Sequence, residues 1–168
     1  MSGLIETTRL GMRKFCLDDI DAVYAFSSNV EVQRLTGDPV FQSRQEAEDV
    51  IRKIWLAEYK KYGYARYALV HKADDKVIGF CGLKYEPHLN GPDIGYRMLP
   101  EYWGMGLATE AVVATLEYAD RVLGISKVMG EVLTEHPASS HVLLKCGFKL
   151  VQTYSRDGFD INQYQWHK

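Results

Sequence analysis

The 168-residue sequence has no apolar run long enough to cross a bilayer. It has no basic excess either: 20 Lys+Arg stand against 22 Asp+Glu, a formal charge of −2. Neutralising a phosphate backbone needs clustered positive charge, so no nucleic-acid partner is expected. Cysteine is scarce, with Cys16, Cys81 and Cys146 far apart and set among apolar neighbours. None of them forms a pair with metal-ligand spacing, so no metal site is expected. Isolated thiols of this kind fit small buried side chains in a reducing cytoplasm. The opening "MSGLIETTRLGMRKF" lacks a basic segment followed by a long apolar one, which argues against a signal peptide. No internal repeat or low-complexity linker is present. What remains is 46% hydrophobic and 25% charged, the balance of one globular domain over 1–168 with a core of its own.

Periodicity divides the chain into elements. "ETTRLGMRKF" alternates as a first strand, and "LDDIDAVYAFSSN" turns helical, with a shorter turn from Val30 to Leu35. Ser43 and Glu46 form an S-x-x-E capping box, Ala47, Val50, Ile51, Ile54, Trp55 and Tyr59 follow at helical spacing, and Gly63 supplies the stop. "YARYALVHK", "KVIGFCGLKYE" and "DIGYRML" read as strands, the first two joined by a tight turn. A helix from about Thr109 to Leu123, a strand in "SKVMGEVL" and a short helix in "PASSHVLLKC" come next, followed by a last strand pair turned at "RDG". Hairpins beside strand–helix–strand crossovers predict an α+β domain, a mixed central sheet of about six to seven strands with flanking helices.

The stretch "PEYWGMGLATEA", Pro100–Ala111, carries the chemistry. Gly104 and Gly106 follow a strand and open a helix, where unpaired N–H groups carry partial positive charge and an anion can approach closely. The ligand such a turn would take is a phosphate or diphosphate, while a G-x-G before a helix, taken alone, also fits a plain tight turn. Leu107 and Ala108 after Gly106 exclude a Walker loop, which needs Lys-Ser/Thr there. A dinucleotide loop sits at the first strand–helix junction, with an acid about 20 residues on. This turn comes after several strands, where a diphosphate on a long pantetheine arm fits better.

"IGYRMLPEYWGMGLATEA" followed by "EHPASSHVLLKCGFKLV" resembles the GNAT acetyltransferases, in particular their RimJ/RimL-like branch. The resemblance runs over nearly the whole chain and implies the GNAT fold, acetyl-CoA as cosubstrate and no metal. Direct acetyl transfer to a primary amine is the implied reaction, the amine being a protein N-terminus or a small molecule. Monomer or homodimer is the implied state. The family's acyl-CoA loop, Q/R-x-x-G-x-G/A, falls on Trp103, Gly104, Met105, Gly106, Leu107 and Ala108, with Thr109 beside it. Trp103 replaces the polar first residue. The splayed strand before the loop, Tyr96 to Leu99, supplies main-chain donors in the family, and Met98 is the implied oxyanion donor. The family's N-x-A-S element falls on His136, Pro137, Ala138 and Ser139, with His136 in place of asparagine. Lys145 and His141 are placed near the cofactor phosphates. A tyrosine that serves the wider family as acid is matched by Leu143.

Four residues are candidates for handling the amine's proton. Asp93 stands where relatives carry an acceptor-facing glutamate, and it also fits a solvated hairpin acid. Glu131 interrupts an apolar strand and needs a partner or a role. His136 has a suitable unperturbed pKa, or it holds the strand–helix turn. Ser139 reads as a helix-capping residue as well as a proton donor. Arg34 and one or two tyrosines among Tyr59, Tyr62, Tyr64, Tyr67 and Tyr85 are placed at the acceptor cleft. A non-catalytic acyl-CoA sensor and a dinucleotide-binding protein remain as alternatives.

Overall fold

The computed structural model describes residues 3–168. Its first strands, β1 (Ile5–Glu6) and β2 (Leu10–Lys14), form a hairpin. A 3₁₀ turn at Leu17–Asp19 leads into α1 (Ile20–Ser27). Asp19 fixes that turn, accepting from the Cys16 amide at 2.9 Å and from both Arg13 Nη atoms at 2.8 and 2.9 Å. α2 (Val30–Arg34) is capped by Asn29, whose Oδ1 accepts from the Val32 amide at 3.2 Å.

The predicted third helix is α3 (Arg44–Asp49), a π-helical stretch over Val50–Trp55 and α4 (Leu56–Tyr62), ended by Gly63 at φ +82°. Ala47, Ile51, Trp55 and Tyr59 are all buried, at a strict spacing of four. In a 3.6-residue helix a four-residue step drifts about 40° round the axis. The wider π turns cancel that drift and keep one face on the core, where Trp55 stacks on Phe15 with centroids 4.2 Å apart.

β3 (Arg66–His71), β4 (Lys76–Glu86) and β5 (Gly91–Met98) continue as antiparallel neighbours. α5 (Leu107–Arg121) then crosses over to β6 (Lys127–Leu133), which pairs with β5 in parallel. α6 (Pro137–Lys145), β7 (Lys149–Arg156) and β8 (Phe159–His167) complete the chain. The sheet order is β1-β2-β3-β4-β5-β6-β8-β7, eight strands with β5–β6 the one parallel pair among the described residues. The expected count of six to seven is therefore too low. The hairpin at Thr7–Arg9 splits the predicted first strand, and a two-residue strand is too short to show a period.

α5 buries Leu107, Ala111, Val112, Thr115, Leu116 and Ala119 against the sheet. Val122, inside the predicted span of this helix, is 64% exposed because the helix ends just before it. The 156–159 turn has two successive left-handed residues, Asp157 and Gly158, as a tight hairpin requires.

Candidate functional site

β5 and β6 make a fork. Their parallel ladder registers at Asp93–Met129 and Ile94–Gly130, and beyond Ile94 β5 pairs with β4 alone. The Leu99 amide donates to the Ile78 carbonyl at 2.8 Å. Peptide groups alternate sides along a strand, so the amides of Tyr96 and Met98 face away from β4, into the fork. The Met98 carbonyl accepts from Trp103 Nε1 at 2.8 Å. Trp103 thus ties the following loop to the strand, in place of the polar residue expected there.

The loop turns on Gly104 and Gly106, at φ +75° and +79°, a region that favours glycine. A Cβ at Gly104 would meet nothing within 4 Å, so the main chain is open to close approach. Gly106 is also the N-cap of the 15-residue α5, and no side chain caps it. The amides of the first turn are available to an anion and lie at the positive end of the helix dipole. A cavity of about 470 Å³ opens on this turn. The second helix, α6, enters the same cavity through Ala138, Ser139 and Val142. A narrow cleft at two helix N-termini, walled by an open strand edge, suits a diphosphate with an amide-bearing arm.

A second cavity, of about 260 Å³, lies on the other side of the fork. Leu35, Thr36, Tyr96, Arg97, His136 and Ser139 line both, so the two spaces meet there. Asp93 sits in the smaller one, at the apex of the fork. Its Oδ2 accepts from Arg66 Nη2 at 3.1 Å, and Arg66 Nη1 also donates to the Asp93 and Gly82 carbonyls at 2.8 and 2.7 Å. Burial pushes the Asp93 carboxyl up to about 6, and Arg66 opposes that rise. His136 Nδ1 lies 3.1 Å from Ser139 Oγ. Burial, and then the positive charge of Arg34, hold the His136 imidazole below its ordinary value, so it is neutral at pH 7. The Tyr96 hydroxyl donates to the Ser139 carbonyl at 3.2 Å, and burial raises its pKa.

Glu131 also lines the smaller cavity, at the centre of a network. Tyr154 donates to its Oε2, as does Gln163 Nε2 at 3.3 Å, while Arg156 Nη1 (3.0 Å) and His88 Nε2 (2.8 Å) reach Oε1. Desolvation works to raise its carboxyl, but these four partners outweigh it and hold Glu131 below the usual carboxylate range.

Of the residues read from the sequence as cofactor-binding, Tyr96, Met98, Trp103, Gly104, Gly106, Leu107, Ala108, Thr109, His136, Ser139 and Lys145 line the larger cavity together. Leu99 and Met105 lie outside it. Leu99 is buried with its amide committed to β4, and the Met105 carbonyl is turned the other way, onto Arg9. Arg34 pairs with Glu31 on the surface, and its neighbours Leu35 and Thr36 reach the site instead. The tyrosines of the middle segment pack away from both cavities, as in the Tyr62–Tyr85 stack at 4.8 Å. Leu143 is buried and also lines the smaller cavity, where it offers no acid. Sequence alone does not single out Arg66 and Arg97. A cation in a strand that alternates apolar residues is the available signal, and it does not reveal which acid lies opposite.

A sheet opened at its one parallel pair, with a glycine turn entering the crossover helix, is the architecture of an acyl-coenzyme A transferase. The acetyltransferase (GNAT) domain profile matches residues 9–149. An uncharacterized N-acetyltransferase of Bacillus subtilis (strain 168), YoaA, is 31% identical over 98% of this chain and 96% of its own. In structure, the chain resembles RimL, a ribosomal L7/L12 α-N-protein acetyltransferase in complex with coenzyme A. The TM-score is 0.81 at 19% identity, covering 96% of this chain and 95% of that one. It also resembles spermidine N-acetyltransferase from Vibrio cholerae in complex with CoA and spermine, with a TM-score of 0.76 at 16% identity and 96% of each chain covered. The chain belongs to the GNAT acetyltransferase family. It is an acetyl-CoA-dependent acyltransferase, and the dinucleotide-binding alternative falls away. No helix among the described residues is long and apolar enough to cross a membrane.

Proposed function

We propose that this chain acetylates a primary amine, a protein N-terminus or a small amine, by direct attack on acetyl-CoA within the fork. One observation carries the reading: a cavity lined by the glycine turn meets a cavity lined by titratable groups at Tyr96, His136 and Ser139. The first-turn amides of α5 hold the diphosphate, with Lys145 at the cavity's edge, and the open edge of β5 holds the pantetheine arm. When bound, acetyl-CoA supplies an electrophilic thioester carbonyl. The Met98 amide faces the fork and is placed to stabilise charge that develops on the carbonyl oxygen.

Asp93 takes the amine's proton. A base with a pKa of about 6 is ionised at neutral pH and still basic enough to accept a proton. His136 lines both cavities and is neutral, so it orients the incoming nitrogen through a hydrogen bond, with Ser139 fixing its ring. Glu131 is not the base in this scheme. It stays ionised among four donors and organises the wall of the acceptor cavity. The four carboxylates lining that cavity each have a cationic or imidazole partner: Asp38 with Arg97, Asp93 with Arg66, Glu131 with Arg156, Glu86 with His88. This internal pairing supports an acceptor with one amino group over a polycation.

The test is thiol release from acetyl-CoA across a panel of peptides and small amines. Acceptor-dependent release is expected for at least one. CoA binding with no amine-dependent release would favour the sensor alternative.

A further inference from the structure

The β1–β2 hairpin reaches across to the glycine turn. Thr7 Oγ1 donates to Glu110 Oε2 at 2.6 Å, and the Arg9 amide donates to the same oxygen at 2.9 Å. Arg9 Nε donates to Glu110 Oε1 at 2.8 Å, while Arg9 Nη1 donates to the Met105 carbonyl at 2.7 Å. Glu110 lies in the first turn of α5, so one carboxylate joins the hairpin, the helix and the loop. The hydrogen bonds from Thr7 and Arg9 outweigh desolvation and hold the Glu110 carboxyl below its ordinary value, keeping it charged as their acceptor.

The bond to Met105 has a directional consequence. The peptide bonds of the described residues are all trans. In a trans peptide the C=O and the following N–H point in opposite directions. Drawing the Met105 carbonyl toward the hairpin therefore turns the Gly106 N–H to the other face. Gly106 lines the larger cavity, whereas Arg9 and Met105 do not. Gly106 at φ +79° has little side-chain restraint of its own, so that peptide plane would otherwise swing.

We propose that Thr7, Arg9 and Glu110 form a positioning clamp that presets the Gly106 amide toward the diphosphate of the acyl donor. This rests on the reading of the glycine turn as a diphosphate site. Arg9 touches neither donor nor acceptor; it acts through the Met105–Gly106 peptide. The clamp thus makes affinity for the diphosphate depend on a hairpin at the far end of the sequence.

S-acetylpantetheine carries the same thioester without the diphosphate, which makes the effect separable. For Arg9→Met, kcat/KM for acetyl-CoA falls about tenfold to a hundredfold, mainly through KM, as expected for a misaligned binding group. kcat/KM for S-acetylpantetheine stays within about twofold, as does the KM of the amine, because the chemistry at the fork is untouched. Arg9→Lys recovers part of the acetyl-CoA loss, since an ammonium can satisfy one of the two acceptors. Thermal melting confirms that both variants are folded. Equal losses on the two donors, or no loss on acetyl-CoA, would overturn the clamp. A wild-type enzyme that shows no preference for acetyl-CoA over S-acetylpantetheine would instead overturn the diphosphate reading of the turn.

Discussion

Replacing Asp93 with asparagine tests the proposed chemistry and gives two independent readouts. The carboxyl moves from an ordinary 3.8 to about 6 on folding because burial disfavours the charged form more than Arg66 favours it. At pH 7 roughly nine-tenths of the wild-type enzyme then carries the ionised base, and at pH 5 roughly one-tenth does. The ratio of wild-type to Asp93→Asn kcat/KM for the amine cancels the amine's own protonation. That ratio is expected to reach about 100 to 10,000 on the alkaline side, the usual worth of a positioned base, and to fall about tenfold per pH unit below 6. The sign on stability is opposite. A carboxyl whose folded pKa is raised costs nothing below its unfolded value and costs most above the folded one. The ionised Asp93 therefore destabilises the wild type as pH rises from 3.8 to 6, by at most about 3 kcal/mol for a shift near two units. The amide variant lacks that fall, so its stability differs less between pH 4 and pH 7 than the wild type's does, read by denaturant titration at each pH. Arg66 keeps its bonds to the Gly82 carbonyl and to the main-chain carbonyl at position 93, which supports folding. A pH-independent activity ratio near one would remove Asp93 as the base.

The other predictions concern the donor site, the junction and the acceptor wall. Gly106→Asp puts a side chain and a negative charge where φ is +79° and an anion is to bind; calorimetry should find CoA affinity lost, with circular dichroism unchanged. His136→Gln should lower kcat/KM for the amine about tenfold or more without moving the limb near pH 6, because one hydrogen bond rather than a base is altered. Glu131→Gln should keep that limb but move it to slightly lower pH, because the Glu131 charge helps to raise the Asp93 carboxyl, and should cost on the order of 1–3 kcal/mol of stability, measured by urea denaturation. Because the Glu131 carboxyl is held below its ordinary 4.5, the wild type's advantage is present above that pH and fades as pH falls through the folded value. Leu143→Ala, buried beside β6 where it also lines the acceptor cavity, should cost about 2–5 kcal/mol and leave the limb near pH 6 in place, because no titrating group is removed.

Local order was legible in the residues themselves. Periods of 2 and 3.6, the Ser43–Glu46 box and the stop at Gly63 placed most elements, and Gly104 and Gly106 marked the turn that opens α5, because these signals act over a few residues. The resemblance to GNAT acetyltransferases was carried by two short motifs and the order of elements around them. Tertiary structure alone decided the rest. The two-residue β1, the π turns under Trp55 and the fork beyond Ile94 depend on strand register and on what packs opposite. Arg66 finds Asp93 27 positions away, and Arg9 finds Glu110 101 positions away. No local pattern encodes such a pairing, because chain folding rather than spacing brings the groups together. The proton affinity of Asp93 belongs to the same class: the residue type sets it near 3.8, and burial at the apex of the fork, helped by the nearby Glu86 and Glu131 charges, raises it to about 6.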